Sequence, residues 1–213
     1  MKKIISLYQR NYEGDRLVRN EVTPGADWVI AGEGVATRKW DGTSCLVRDG
    51  KLYKRYDAKV GKAPPADFTP AQEPDAITWH WPGWVPVGNG PEDKWHLDAK
   101  QIRLLDGWYE IKFSGTGHLC YLHVVTWHVV PDGTYELCGP KLQGNPERFA
   151  EHVLIAHGVD ELPDCPRDFD GLKVYLVEHD IEGVVWWRND FTDCDKVKIK
   201  AKDFGIKRGG NAT

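Results

Sequence analysis

A series of short, strand-like segments separated by glycine turns constrains the fold of this chain more than any other feature. Between residues 27 and 56 these segments are W-V-I-A, V-A-T-R-K-W, S-C-L-V and K-L-Y-K-R-Y. Asp41-Gly42 and Asp49-Gly50 separate the last three, and Asp-Gly between apolar runs is a strong hairpin signal because glycine tolerates positive φ. The pattern predicts a meander of short antiparallel strands.

A second group of strands is predicted between residues 108 and 139. It contains W-Y-E-I-K-F, L-C-Y-L-H-V-V-T-W-H-V-V and T-Y-E-L-C-G, separated by Ser-Gly-Thr-Gly and Pro-Asp-Gly turns. Two further strands, E-G-V-V-W-W and D-K-V-K-I-K-A-K, follow later in the sequence. Turn residues between β-branched and aromatic runs are typical of antiparallel sheets.

Helices are predicted in two places. Asn145-Pro146 resembles a helix start, with asparagine as the N-cap and proline at the first helical position, and Gly158 is a suitable stop. This span is either one helix or a short helix followed by the strand H-V-L-I-A-H, and the sequence does not separate the two. Residues 167–180 are also predicted to be helical. Strands with inserted helices predict an α+β fold with mainly antiparallel sheets.

Length and composition predict one globular domain over residues 1–213. Hydrophobic residues make up 41% of the chain and charged residues 28%, so it can bury a sizeable core. A segment rich in Trp, Pro and Gly at about 61–107 is predicted to be an ordered insertion. No apolar run is long enough to cross a bilayer, and the short, interrupted apolar stretch near the N-terminus predicts no export.

The cysteine pattern and the net charge exclude several classes of protein. The chain has five cysteines without a C-x-x-C pair: Cys45, Cys120, Cys138, Cys165 and Cys194. This argues against a zinc site or a disulfide framework and predicts reduced thiols in a cytoplasmic protein. The net charge of −4 excludes a polycation that coats nucleic acid. Residues 194–213 nevertheless hold five lysines and one arginine against two aspartates, so a polyanion is expected to meet this end.

Five blocks of the sequence combine the residue types needed to attack a phosphorus atom with a lysine. They are centred on Lys39 (K-W-D-G), Arg55 (K-L-Y-K-R-Y), Glu136 (Y-E-L-C-G), Glu182 (E-G-V-V-W-W) and Lys198 (K-V-K-I-K-A-K). A lysine becomes a nucleophile when burial or neighbouring cations lower its pKa. Further cations would hold phosphates, a carboxylate would hold a divalent metal, and glycines would let the backbone approach the ligand.

Each block also has a purely structural interpretation. Lys39 can be a surface lysine before a turn, and Arg55 can pair with Asp57 or Asp49. Lysines at alternate positions can form the solvated face of an amphipathic strand, and Glu182 can protect a sheet edge from aggregation. The order of the five blocks, rather than any one of them, favours a catalytic role.

In this order, the blocks resemble the motif series of the covalent nucleotidyltransferase superfamily, which contains polynucleotide ligases and mRNA capping enzymes. The resemblance runs from Lys39 to Lys200 and covers most of the chain. It implies an ATP-grasp-like nucleotidyltransferase core. Only 11 residues follow Lys202, so we expect no C-terminal OB-fold.

The resemblance implies roles for individual residues. Lys39 would attack the α-phosphorus of a nucleoside triphosphate and form a lysyl–nucleotide adduct with loss of pyrophosphate, and Asp41 would help to activate the acceptor hydroxyl. The nucleotide-binding residues would be Lys39, Gly42, Arg55, Glu136, Glu182, Lys198 and Lys200. Glu182 would order Mg²⁺ or Mn²⁺ near the phosphates, with Glu136 as a second metal ligand.

Within this superfamily the sequence resembles small stand-alone RNA ligases. Ser44 lies where capping enzymes and many DNA ligases carry arginine, and the block G-P-K-L-Q-G-N-P-E after Glu136 supports the same branch. The resemblance implies an ATP-dependent RNA ligase that uses Mg²⁺ or Mn²⁺ and joins RNA 5′-phosphate and 3′-hydroxyl ends. The alternatives are a DNA or nick ligase, a capping guanylyltransferase, and a non-catalytic nucleic-acid-binding domain of the same fold.

Contacts with nucleic acid are predicted in two places. Lys59, Lys141 and Gln143 are candidates to bind RNA. The tryptophans of H-W-P-G-W can stack on bases, although packing beneath the insertion is at least as good an interpretation. The eight histidines show no metal-ligand spacing and are assigned no function.

Overall fold

The computed structural model describes residues 4–59, 61–75, 79–188 and 195–208. These residues form two compact units. The central unit contains residues 41–159, and the flanking unit contains residues 4–40 and 160–208, which lie on either side of it in the sequence. Cys194 and residues 76–78 of the predicted insertion lie outside the described residues.

Strands form most of the regular structure in both units. In chain order they are β1 (Ile5–Ser6), β2 (Tyr8–Arg10), β3 (Val18–Val22), β4 (Val35–Lys39), β5 (Thr43–Arg48), β6 (Lys51–Ala58), β7 (Thr69–Pro70), β8 (Trp81–Pro86), β9 (Gln101–Leu104), β10 (Gly107–Phe113), β11 (Leu119–His123), β12 (Thr126–Val129), β13 (Gly133–Cys138), β14 (Val153–Ala156), β15 (Gly183–Trp187) and β16 (Lys196–Lys200). The α-helices are α1 (Asp27–Ile30), α2 (Lys94–Leu97) and α3 (Phe169–His179), with 3₁₀ turns at Pro91–Asp93 and Ala201–Phe204. None of the described helices has the length and apolarity needed to cross a membrane.

The flanking unit is built on a four-stranded sheet with the order β1-β16-β15-β4. The β1–β16 pair is parallel, and the other two pairs are antiparallel. Val197 and Ile199 of β16 are buried in the core of this unit with Leu172 and Leu176 of α3. The lysines between them lie on the opposite face because side chains alternate along a strand. The alternation predicted for this segment is confirmed.

The central unit is built on a ten-stranded sheet with the order β12-β11-β10-β9-β14-β13-β5-β6-β8-β7. Only the pairing of β14 with β9 is parallel among these strands. The segment 61–107 contributes β7, β8 and β9 to this sheet, where β8 pairs with β6 and β9 pairs with β10. The prediction of an α+β fold with mainly antiparallel sheets is confirmed.

The helix predicted at residues 167–180 is confirmed as α3. Asp168 caps it, since its carboxylate accepts a hydrogen bond from the backbone N–H of Gly171 at 2.8 Å. Asp180 ends it in the left-handed conformation, with φ of 46°. A carboxylate at the start and a left-handed residue at the end are common signals for helix boundaries.

The two Asp-Gly turns behave differently. Asp49-Gly50 joins β5 to β6 as predicted, with both residues at positive φ. The hairpin predicted at Asp41-Gly42 is wrong, because β4 pairs with β15, whereas β5 pairs with β6 and β13. The chain therefore leaves one sheet and enters another at this dipeptide.

Two predictions based on local propensity are also wrong. W-V-I-A forms the one-turn helix α1, because Trp28 and Val29 are both buried in the core of the flanking unit and adjacent strand residues would point to opposite faces. The segment at residues 119–130 is two strands rather than one. Val124 adopts a positive φ of 57° and starts the turn between β11 and β12, although valine is not a turn-forming residue.

The helix predicted after Asn145 is absent from this described segment, and only the strand alternative, β14, is present. Asn145 adopts a positive φ of 54° instead of the extended conformation of an N-cap. Its side chain donates to the carbonyl of Phe149 and accepts from the N–H of Phe149. These bonds close a loop, so the asparagine competes with the helix rather than starting it.

Candidate active site

Sheet register in the flanking unit assembles a group that we name the lysine–glutamate cluster: Lys39, Glu182, Lys198 and Lys200. Gly183 on β15 pairs with Lys39 on β4 and with Lys200 on β16. Glu182 directly precedes Gly183, so its carboxylate lies between the two lysines. Three blocks that are distant in the sequence are therefore adjacent in this unit.

The carboxylate of Glu182 binds one lysine with each oxygen. Oε2 lies 2.5 Å from Nζ of Lys39, and Oε1 lies 3.2 Å from Nζ of Lys200. Glu182 is 8% exposed, and both lysine side chains are largely buried. The structural interpretation of Glu182 as a solvated edge charge is excluded, because a buried carboxylate with two ammonium partners is not a surface group.

Burial and neighbouring charges both shift the pKa values of the residues in this cluster. Burial raises the pKa of Glu182, but the ammonium groups of Lys39 and Lys200 outweigh it and hold this pKa below its usual value. Burial, with repulsion from Lys200 and Lys39, lowers the pKa of Lys198 to about 8. Burial also lowers the pKa of Lys200, although Glu182 opposes the shift. The cluster is a set of closely spaced cations organised around one ionised carboxylate.

Gly183 is required by the close approach of β16 to β15. A Cβ at this position would lie 2.1 Å from the carbonyl oxygen of Ile199 and 2.9 Å from Cα of Lys200. Both are backbone atoms, which cannot move aside independently. Glycine here lets the strand that carries Lys198 and Lys200 reach the carboxylate of Glu182.

The residues next to Lys39 are held by side-chain contacts within the same unit. The guanidinium of Arg38 lies 3.8 Å from the ring centroid of Trp40, and Nε1 of Trp40 donates to Asp160 at 3.0 Å. Thr37 is buried, donates to the carbonyl of Val185 and accepts from Nε1 of Trp187. The backbone on both sides of Lys39 is therefore fixed, and its ammonium binds the carboxylate of Glu182.

In the central unit, a second group surrounds the Asp41-Gly42 dipeptide. The N–H of Gly42 donates to Oε1 of Glu136 at 3.2 Å, and the N–H of Asp41 donates to Glu147 at 3.2 Å. A Cβ on Gly42 would lie 2.2 Å from the carbonyl oxygen of Leu137. Close approach to β13, rather than positive φ, therefore explains glycine at this position.

Glu136 has a different set of partners from Glu182. Its Oε2 lies 3.0 Å from Nε2 of His157, and Nδ1 of His157 lies 2.9 Å from the hydroxyl of Thr134. Glu136 is buried, and its described contacts are with a backbone N–H and a histidine rather than with lysines. We name Gly42, Glu136 and His157 the glutamate–histidine group.

The remaining predicted site residues lie on the central unit outside this group. Nε of Arg55, on β6, lies 3.4 Å from Asp57, and its guanidinium carbon is 5.3 Å from the ring centroid of Trp84. The predicted pairing with Asp57 is therefore present. Lys59, Lys141 and Gln143 are exposed.

The tryptophans of the segment 61–107 serve mainly in packing. Trp84 is almost completely buried, Nε1 of Trp81 donates to the carbonyl of Gln72, and Trp95 stacks on His152. Trp79 is exposed. The packing interpretation holds for the first three.

The two predicted metal ligands, Glu182 and Glu136, are both buried carboxylates with a partner on each oxygen. Lys39 and Lys200 bind Glu182, whereas a backbone N–H and a histidine bind Glu136. Mg²⁺ keeps several waters and takes one or two carboxylates together with substrate phosphates, so a metal at Glu182 would require one lysine to leave its oxygen. Within the described part of the chain, no group of three or more His, Cys, Asp or Glu side chains is arranged to hold a metal.

Sequence reasoning missed three residues that hold these sites. His157 and Glu147 contact the predicted residues Glu136 and Asp41, and Asp160 orients Trp40. His157 directly follows β14, which pairs with β13, so its position depends on strand register rather than on local pattern. No local sequence pattern indicates that register.

No protein-family model matches this chain, and a search of curated proteins also found no match.

Proposed function

We propose that this chain is an ATP-dependent RNA ligase that works through a covalent lysyl-AMP intermediate. The observation that carries the proposal is the position of Lys39, whose Nζ lies 2.5 Å from Glu182, a carboxylate that also binds Lys200 on the strand that carries Lys198. Such a group can bind a polyphosphate, present an amine to it and neutralise charge during the reaction.

In the first step, Nζ of Lys39 bonds to the α-phosphorus of ATP while the bond from that phosphorus to the bridging oxygen breaks. Pyrophosphate leaves, and the amine loses its proton to solvent. Lys198 and Lys200 stabilise the negative charge on the α-phosphate oxygens. Attack requires the neutral amine, so Lys39 must first leave its ion pair with Glu182 and give up a proton.

In the later steps, the 5′-phosphate of RNA attacks the lysyl-AMP phosphorus and releases Lys39. A 3′-hydroxyl then attacks the activated 5′-phosphate and releases AMP, forming a phosphodiester bond. Asp41, two residues after Lys39, would help to activate that hydroxyl, and Arg55 and Glu136 would contact the nucleotide. These assignments come from the family resemblance.

Glu182 would hold Mg²⁺ or Mn²⁺ once the ammonium of Lys39 has turned toward phosphorus. The metal would neutralise charge on the nucleotide phosphates when bound. Before that, the carboxylate keeps Lys39 in place through the 2.5 Å contact. Glu182 would therefore position the nucleophile as well as the metal.

The test combines intact-mass spectrometry with a ligation assay. Wild-type protein and Lys39→Ala are incubated with Mg²⁺ and each of ATP, GTP, CTP and UTP, and then with 5′-phosphorylated RNA or DNA. We expect an AMP-sized gain with ATP, joined RNA, and neither product in the variant. A GMP adduct would indicate capping, and preferential joining of DNA would indicate a DNA ligase. No adduct from folded protein, also after pyrophosphate treatment to remove preloaded AMP and with Mn²⁺ in place of Mg²⁺, would refute the proposal.

A further inference from the structure

A cleft in the flanking unit lies beside the lysine–glutamate cluster. We name it the N-terminal cleft, because β1 and β2 supply much of its lining, together with β16 and the 3₁₀ turn that follows it. Its volume is about 630 Å³, within the range of about 300–1,000 Å³ typical of ligand pockets. Lys198 and Lys200 belong to both the cleft and the cluster.

The lining of the cleft is strongly cationic. Arg10, Lys198, Lys200 and Lys202 all contribute to it, against the carboxylate of Asp203. Asp203 is buried, forms an ion pair with Arg10 and accepts a hydrogen bond from the backbone N–H of Lys200 at 3.1 Å. Its charge is therefore compensated within the protein and does not oppose an incoming anion.

Two of these lysines, Lys198 and Lys202, have no carboxylate within 4 Å among the residues that the structure describes. Repulsion from Lys200 and Lys39, added to burial, lowers the pKa of Lys198 to about 8. A bound anion would relieve this repulsion, so the cleft is prepared for a phosphate group.

Exposed apolar side chains distinguish the kind of phosphate ligand. Tyr12 is 77% exposed and Ile5 is 40% exposed, and both line the cleft. An exposed aromatic ring beside a cationic groove is the arrangement that stacks bases of a single strand. Inorganic polyphosphate has no group that would use these side chains.

We propose that the N-terminal cleft binds single-stranded RNA, with Lys202 contacting a backbone phosphate and Tyr12 stacked on a base. This inference rests on the proposed function, because the RNA is the substrate of that reaction. It assigns RNA binding to residues of the flanking unit that line this cleft rather than to Lys59, Lys141 and Gln143 of the central unit.

The test measures RNA affinity separately from adenylation. Binding of a fluorescent, 5′-phosphorylated single strand of about ten nucleotides is followed by fluorescence anisotropy at several salt concentrations, without ATP. The variants are Tyr12→Ala, Tyr12→Phe and Lys202→Ala. Lys173→Ala is the charge-matched control, because Lys173 is exposed on α3 and does not line the cleft.

We expect Tyr12→Ala to weaken binding about 10-fold and Tyr12→Phe to stay close to wild type, because the ring stacks. Lys202→Ala should weaken binding and lower the slope of log affinity against log salt by about 0.7, as expected for one lost phosphate contact. Lys173→Ala should change neither quantity. If Tyr12→Ala and Lys202→Ala bind like Lys173→Ala, the cleft is not the RNA site.

A competition arm distinguishes RNA from the phosphates of a nucleotide. Three results together would overturn the RNA assignment: pyrophosphate displaces the RNA, Lys202→Ala weakens pyrophosphate binding, and Tyr12→Ala leaves RNA binding unchanged. The cleft would then bind nucleotide phosphates. Failure of the proposed function has a different signature, namely no lysyl-AMP in the wild-type protein. Adduct formation together with unaltered RNA binding by Tyr12→Ala and Lys202→Ala would overturn the cleft alone.

Discussion

The two units of this protein bury one glutamate each beside a candidate site residue, but they stabilise the two carboxylates differently. Glu182 in the flanking unit binds the ammonium groups of Lys39 and Lys200. Glu136 in the central unit binds a backbone N–H and a histidine. A lysine can swing away and react, whereas a backbone N–H cannot, so the first arrangement suits a nucleophile and the second suits a fixed turn.

Neutralising each carboxylate in turn tests this difference between the two units with the largest expected effect. In Glu182→Gln, two largely buried ammonium groups lose their counter-charge, and we expect adduct formation to fall by about 100-fold and stability by about 3 kcal/mol. Glu136→Gln keeps an acceptor for Gly42, so we expect a loss of about 1 kcal/mol. Urea unfolding and intact-mass kinetics measure both effects. Equal losses in the two variants would contradict the distinction.

The stability of the folded protein should depend on pH in acid because of Glu182. The pKa of Glu182 in the folded protein lies below its ordinary value of 4.5. Its ionised form therefore stabilises the fold above that value, and this contribution is lost as pH falls through the folded pKa. Glu182→Gln should unfold with a shallower loss of stability in acid than wild type.

A substitution at Gly42 tests the fixed turn directly. Gly42→Ala places a Cβ 2.2 Å from the carbonyl oxygen of Leu137, so we expect a loss of about 2 kcal/mol from backbone displacement. Gly115→Ala is the matched control, because an added Cβ there meets no atom within 4 Å. Urea midpoints that shift equally would show that Gly42 is not constrained by β13.

Alkaline pH tests the crowded cations of the flanking unit. The pKa of Lys198 falls from 10.5 to about 8 in the folded protein, so the unfolded chain binds more protons between these values. Lys198 should therefore contribute a rise in stability of about 1 kcal/mol between about pH 8 and 9.5, opposed by the thiols of Cys45 and Cys165, whose pKa values are raised by burial. Lys198→Met should reduce this rise, and Lys173→Met should not. A rise that is identical in the two variants would remove Lys198 as its source.

The smallest effect is expected at Glu147. This carboxylate accepts a hydrogen bond from the N–H of Asp41 at 3.2 Å, and glutamine retains a carbonyl acceptor of the same length. We expect Glu147→Gln to change stability by less than about 0.5 kcal/mol, measured by thermal unfolding. A loss comparable to that of Glu182→Gln would mean that charge, not hydrogen bonding, holds the turn.

The sequence predicted those parts of the fold that depend on local pattern. The alternation of Lys196 to Lys200, the hairpin at Asp49-Gly50 and the helix α3 all follow from spacing, turn chemistry and capping. Asp41-Gly42 carries the same local signal as Asp49-Gly50, yet β4 and β5 belong to different sheets. Local signals report that the chain turns, and they do not report which strands pair afterwards.

The candidate site shows the same division. Lys39, Glu182 and Lys200 could be grouped from the sequence only through the order of their blocks, because the register that joins β4, β15 and β16 spans most of the chain. His157 and Asp160 carried no recognisable motif. Their roles arise from tertiary placement beside Glu136 and Trp40.

The proposed role of Lys39 is best tested by identifying the residue that carries the nucleotide. Protein incubated with ATP and Mg²⁺ is digested, and the AMP-bearing peptide is sequenced by tandem mass spectrometry under conditions that preserve the phosphoramidate bond. We expect AMP on Lys39 alone. AMP on Lys198 or Lys200, or an adduct that persists in Lys39→Ala, would contradict it.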